Sequence, residues 1–259
     1  FRWAHGDDSR FPALAKELIS QKPAVIVSVC GTPQRAIREV SRTVPIVGAC
    51  ADQTNFLGEV ATLRRPGGAT TGFLFLAPES VGKRLQILKE IQPNLKRVGL
   101  VYYSRVGWET YWQEAERAAA RFDLTPLRLP FEGVSDLEHV FATSLRERVE
   151  ALFWFPDVHT SSAASRISDF ALRHRLLTAF ESDVFVDGGG LVSYAPDIPD
   201  LYHRVVPRQV DKILEGANAG DVPVEHPTKF LLVINLRTAK ALGLTIPRKL
   251  LLSADRVIE

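Results

Sequence analysis

Three carboxylates stand at the ends of short apolar runs. Asp52 comes just after PIVGAC, Asp157 follows ALFWFP, and Glu181 follows LLTAF. Runs of this length and composition read as strands of a buried parallel sheet. In open α/β sheets, ligands bind in the crevice outside the carboxyl ends of such strands. A carboxylate placed there could accept from a ligand ammonium. Gly31 and Thr32 follow another such run, AVIVSVC, and precede a helical stretch, so their backbone N–H groups and the Thr32 hydroxyl could hold a ligand carboxylate. Tyr103 closes KRVGLVYY with Trp108 five residues on, and Tyr194 lies in LVSYAP after a triple glycine, where a hinge would bring it near the same site. Aromatics in those places could stack on a ring or clamp an apolar group. Each residue also has a plain structural reading: Thr32 as a helix cap, Asp52 as the cap of a helix near Thr54–Leu63, Tyr103 and Trp108 as core. Asp157 and Glu181 read as exposed polar groups at strand ends.

Enzyme signatures fail. Gly188-Gly189-Gly190 does not open a helix directly after a strand, and SVGKRL lacks the spacing and the Ser/Thr of a phosphate loop. No G-x-S-x-G elbow and no H-E-x-x-H occurs, and the six histidines are scattered without a nucleophile partner. Cys30 and Cys50 have no metal-site spacing and read as small core residues, with a disulfide across neighbouring strand ends as the alternative. These patterns predict no catalytic residues, no metal and no cofactor.

The elements that must carry the strand-end groups alternate. Strand-like runs recur between amphipathic stretches, with Val81, Leu85, Leu88 and Ile91 on one helical face, then Ala163, Ile167, Phe170 and Ala171, then Leu201, Val205, Val210 and Ile213. Ser135-Asp136-Leu137-Glu138 reads as a capping box, Ser161 or Ser162 as the next cap, and Pro207 should kink its helix. The prolines of LTPLRLPF mark an edge strand. Such alternation predicts parallel sheets flanked by helices. About nine strands in 259 residues fit two lobes better than one, with crossings sought at 66–72 and 188–190. A net charge of +2 without basic clusters excludes the usual nucleic-acid footprint, and no apolar run approaches a membrane span. The chain has no methionine and begins Phe1-Arg2-Trp3, which reads as a fragment or processed product with any signal peptide absent from it.

Four segments together resemble the substrate-binding proteins of bacterial ABC transporters, in the group that includes tryptophan- and other amino-acid-binding members. They are FRWAHGDDSRFPALAKELISQKPAVIVSVCGTP (1–33), LRRPGGATTG (63–72), GGLVSYAPDIPDLYHRVVPRQVDKILEGANAGD (189–221) and VPVEHPTKFLLVINLRTAKALGLTIPRKLLLSADRVIE (222–259). The resemblance implies a type I periplasmic-binding-protein fold, with parallel sheets flanked by helices in two lobes and a ligand cleft between them. Lobe one would hold 1–75 and about 193–232, lacking the family's first strand and helix; lobe two would hold about 76–192 and 233–259. The implied protein is a monomer and not an enzyme. It would sit in the periplasm, or otherwise outside the cytoplasm in association with the membrane, capture a small molecule and deliver it to the permease of an ABC-type importer. A ligand-sensing domain of a signalling system is the alternative on the same fold. The chain departs from the family around Asp52, where Ala51 and Gln53-Thr54 replace Gly and Pro-Val, and at Tyr103-Ser104-Arg105, Ala195 and Pro207.

Overall fold

The computed structural model describes residues 1–5, 7–28, 31–50, 62–74, 78–104, 107–156 and 160–259. The chain divides into two compact units: Phe1–Ala77 with Asp197–Lys229, and Pro78–Pro196 with Phe230–Glu259.

Among the described residues of the first unit, three parallel strands lie in the order β1 (Ile26–Ser28), β2 (Ile46–Cys50), β3 (Thr70–Leu74). Strand pleating sends neighbouring side chains of β2 to opposite faces. Ile46 joins Ala15, Ile26, Ala36 and Ile37 under the helices Phe11–Ser20 and Gly31–Val40. Val47 and Ala49 face Ile213, Ala219, Leu201 and Val205 on the other side. That cover reaches Val47 but leaves Val27 46% exposed, so β1 is buried on one face where the sequence reads as buried on both. Leu201–Val205 forms a π-helical turn directly before Pro207, which sits in the first turn of the helix Val206–Leu214. Proline lacks an N–H and its ring crowds the preceding turn, and the wider turn accommodates both defects. The Pro-Gly-Gly loop packs against the far end of this unit: Gly67 and Gly68 have φ of 74° and 60°, and the Gly67 N–H donates to Gly220 O at 2.9 Å.

The described residues of the second unit form seven strands in the order β10-β9-β8-β7-β6-β4-β5. They are β4 (Arg97–Tyr103), β5 (Thr125–Phe131), β6 (Ala151–Trp154), β7 (Leu177–Phe180), β8 (Val192–Pro196), β9 (Phe230–Asn235) and β10 (Arg256–Ile258). Pro126 and Pro130 lie on β5, which is an edge strand as the prolines require. Every pair is parallel except β8·β9, because the chain leaves this unit at Pro196 and re-enters beside it at Phe230. The helices Leu137–Arg146 and Ala164–Arg173 cover one face over Val101, Leu152, Trp154 and Phe180. The helices Glu79–Ile91 and Glu109–Phe122 pack together, with Arg84 of the first over Phe153, whose side chain points opposite to that of Trp154.

Two capping expectations are corrected. The Ser135 capping box does not form: Val134–Asp136 makes a 3₁₀ turn, and Asp136 Oδ2 instead accepts from the Glu132 N–H at 2.7 Å. The helix expected to be capped by Ser161 or Ser162 begins after a 3₁₀ turn, Ser161–Ala163, with Ala163 at the cap position and no side-chain cap bond. In both places a 3₁₀ turn takes up the first backbone donors that a side chain would otherwise satisfy. Gly188–Gly190 lies within the second unit and closes the short helix Asp183–Asp187, with the Gly190 N–H on Phe185 O at 2.8 Å.

Candidate functional site

β4 lies between β5 and β6, and the chain runs out to β5 on one side before returning to β6 on the other. Connections that diverge in this way open a crevice at the strands' carboxyl ends. Tyr103 is the last residue of β4; its ring is half-buried, 5.8 Å from that of Phe131. Trp108 is 5% exposed and its Nε1–H donates to Tyr103 O at 2.8 Å, so it pins the end of β4 from within the core. Behind it stands an aromatic cluster centred on Phe155, whose ring lies 4.9–5.4 Å from those of Trp112, Tyr111 and Trp108.

Glu181 follows β7, as read from the sequence, but it is not the exposed group expected there. Its side chain is 4% exposed, and both oxygens are engaged: Oε2 accepts from Arg84 Nη2 at 2.8 Å and Oε1 from the Tyr111 hydroxyl at 3.2 Å. Arg84 is itself 1% exposed; its Nη1 donates to Trp154 O at 2.8 Å and its guanidinium lies 4.3 Å from the Phe153 ring centre. Burial pulls the Arg84 guanidinium below its ordinary pKa, and the Glu181 carboxylate opposes that by favouring the charged form. A buried carboxylate survives only when paired, and Arg84 is what makes Glu181 tolerable at this depth.

Arg84 was legible only indirectly. It falls on the same helical stripe as Val81, Leu85, Leu88 and Ile91, all buried. A charged residue inside an apolar stripe is the signal of a buried partner. Tyr111 lies likewise on the buried stripe Tyr111, Trp112, Ala115, Ala118, Ala119.

Tyr194 stands in the middle of β8, opposite Leu232, with its ring stacked on Phe230 at 5.4 Å and 13°. Burial, and secondarily the charge of Asp255, raises its phenol pKa above the ordinary value of about 10. In the first unit, the helix Gly31–Val40 starts at the carboxyl end of β1, so Gly31 and Thr32 supply first-turn N–H groups with their partial positive charge. β2 ends at Cys50, two residues before Asp52. Asp52, the helix expected near it, and Asp157 lie outside the described residues. The structure thus brings Tyr103, Trp108 and Glu181 to the strand ends of one unit, and Gly31 and Thr32 to a strand end of the other.

The family model for ABC transporter substrate binding protein matches residues 1–258. A tyrosine-binding protein of Clostridioides difficile is 22% identical over 258 residues, covering 99% of this chain and 72% of that protein. Among solved structures, a conserved domain protein from Vibrio cholerae superposes with a TM-score of 0.88 at 24% identity, over 99% of this chain and 86% of that one. The ABC domain from Streptococcus pneumonia in complex with L-Trp gives a TM-score of 0.85 at 24% identity, over 98% and 87%. The two-lobed type I periplasmic-binding-protein fold expected from the sequence is the fold these structures share with the chain.

Proposed function

Because the chain belongs to the ABC transporter substrate-binding protein family, we propose that it is the solute-binding component of an ABC-type importer. It captures an amino acid or similar small carboxylate outside the cytoplasm and delivers it to a membrane permease, without chemical conversion. The observation that carries this reading is the family match along residues 1–258. Relatives named for tyrosine and L-Trp point to an aromatic amino acid as the first ligand to try. Among the described residues, no helix is long and apolar enough to cross a membrane.

In this reading Thr32 and the first N–H groups of its helix, from Gly31 on, take the ligand carboxylate. Asp52 or Asp157 takes the ammonium. Tyr103 and Tyr194 wall the side chain, Trp108 holds Tyr103 in place, and Glu181 acts from beneath the site through its buried network. Isothermal titration with L-tyrosine, L-tryptophan, L-leucine and benzoate tests this. The expected result is saturable binding to at least one aromatic amino acid and none to benzoate, which has no ammonium. Thr32→Ala, and one of Asp52→Asn and Asp157→Asn, should weaken binding about tenfold or more, since a charge-assisted hydrogen bond contributes about 1.5–3 kcal/mol. Binding to no amino acid would reject the ligand class; full affinity in all three variants would reject the site.

A further inference from the structure

A groove of about 340 Å³ lies between the helices Leu137–Arg146 and Ala164–Arg173 on the second unit. That volume is within the range of small-molecule sites, roughly 300–1,000 Å³. One wall is a single helical stripe, Glu138, Phe141, Ala142 and Leu145. Arg166, Phe170, Arg173 and His174 form the facing wall. Phe141 and Phe170, both buried, stack across the floor at 3.9 Å and 8°, and the His174 ring lies 4.6 Å from Phe170. Leu145 is 41% exposed, so the groove keeps an open apolar side.

The two ends differ in charge. At one, Arg166 Nη2 and Glu138 Oε1 pair at 2.6 Å and cancel. At the other stands Arg173, seven residues along the helix and so about 10 Å away. Its Nε–H donates to Asp169 O at 3.2 Å. The last carbonyls of that helix are already taken by backbone: the His174 N–H bonds Phe170 O at 3.1 Å, Arg175 N–H bonds Leu172 O at 3.2 Å, and Leu176 N–H bonds Ala171 O at 2.8 Å. Among the described residues, Nη1 and Nη2 of Arg173 have no partner. Glu138, held by Arg166, is the one carboxylate among the lining residues.

We propose that this groove is a second ligand site, for a small acid that carries a carboxylate at the end of an apolar chain about 10 Å long and has no ammonium. The Nη arms of Arg173 take the carboxylate, for which a planar guanidinium fork is matched. The chain lies over Phe141 and Phe170, between Leu145 and His174. An α-ammonium would meet no free carboxylate here, so the amino acids expected at the strand ends are poor ligands for the groove. The competing account is that Arg173 only complements the negative pole of its helix, and it predicts no recognition of an acid.

Octanoate tests this, titrated into the full chain with NMR shifts followed. Saturable shifts are expected at Ala142, Leu145, Phe170 and Arg173. Octanamide, which has the same chain without the charge, and 2-aminooctanoate should each bind about fivefold more weakly. Benzoate, whose ring sits directly on its carboxyl and spans one end only, should give no saturable shift. Arg173→Gln should weaken octanoate about fivefold, and Ala142→Trp, which fills the groove from an exposed position, should abolish the shifts. Both variants should keep the parent's unfolding midpoint and its affinity for L-tyrosine or L-tryptophan, whichever the parent binds. Octanoate shifts that are absent or lie outside the groove overturn the proposal. So do displacement of octanoate by the amino acid, equal binding of octanamide, or unchanged octanoate affinity in Arg173→Gln. If the parent binds neither amino acid, the functional reading fails while the octanoate titration still decides the groove.

Discussion

Gly72→Ala probes the tightest point of the first unit's sheet. Gly48 and Gly72 are register partners on β2 and β3. A Cβ built on Gly72 would lie 1.8 Å from Gly48 O, a backbone atom, and Gly72 has φ +147°. Ordinary contact between carbon and its neighbours is about 3.5 Å, so the strands must part by well over an ångström. Parting them there breaks two or three ladder bonds, each contributing about 1 kcal/mol net. An L side chain at that φ adds about 1–3 kcal/mol of strain. The sum, about 3–6 kcal/mol, is comparable with the total stability of many domains. At an m-value of about 2 kcal/mol/M, the urea midpoint of the first unit should fall by roughly 2 M. The control is Gly48→Ala, whose Cβ would meet the Gln34 side chain, with Nε2 at 1.9 Å. Trimming that side chain in Gly48→Ala/Gln34→Ala should recover most of the loss, whereas no side-chain truncation can rescue Gly72→Ala, because its obstacle is backbone. Urea unfolding followed by circular dichroism measures all of these. A Gly72→Ala midpoint within about 0.5 M of the parent would refute the close approach of β2 and β3.

Three further outcomes are expected. Phe155→Ala should cost about 3–5 kcal/mol in denaturant unfolding of the second unit, because the side chain is 1% exposed at the centre of the aromatic cluster. Arg38→Met should cost about 2–3 kcal/mol by releasing Ala69 O, Thr70 Oγ1 and Val44 O, acceptors that sit at the amino ends of β2 and β3, while leaving the aromatic fluorescence of the second unit unchanged. Asp197 is held below the usual carboxylate range by its hydrogen bond from Lys229 and then by the Asp200 N–H. Its contribution is therefore complete above an unfolded pKa of about 3.9 and disappears as pH falls through the lower folded value. Asp197→Asn should lower stability at pH 7 and flatten its dependence between pH 4 and pH 2, so that the two unfolding curves converge in acid.

Much of this molecule follows from local pattern. The apolar runs at 97–103, 151–154 and 177–180 became strands, and the stripe Val81, Leu85, Leu88, Ile91 is buried, because periodicity of 2 or 3.6 reports which face meets the core wherever that core is. The prolines of β5 announced an edge since proline cannot donate to a ladder. The placing of Tyr103 and Glu181 at strand ends was likewise readable from where each apolar run stops. What the sequence left open was set by partners distant along the chain. Glu181 is buried because Arg84, on a helix nearly a hundred residues earlier, reaches it; a carboxylate's exposure depends on whether a cation meets it, and no spacing rule relates the two. Trp108 packs into the core because Phe155 and Tyr103 O receive it. β9 runs antiparallel to β8 because the chain makes a detour through the other unit between them. Local composition decides that an element exists and which face is apolar; pairing, direction and the fate of a charge are decided only when the chain closes on itself.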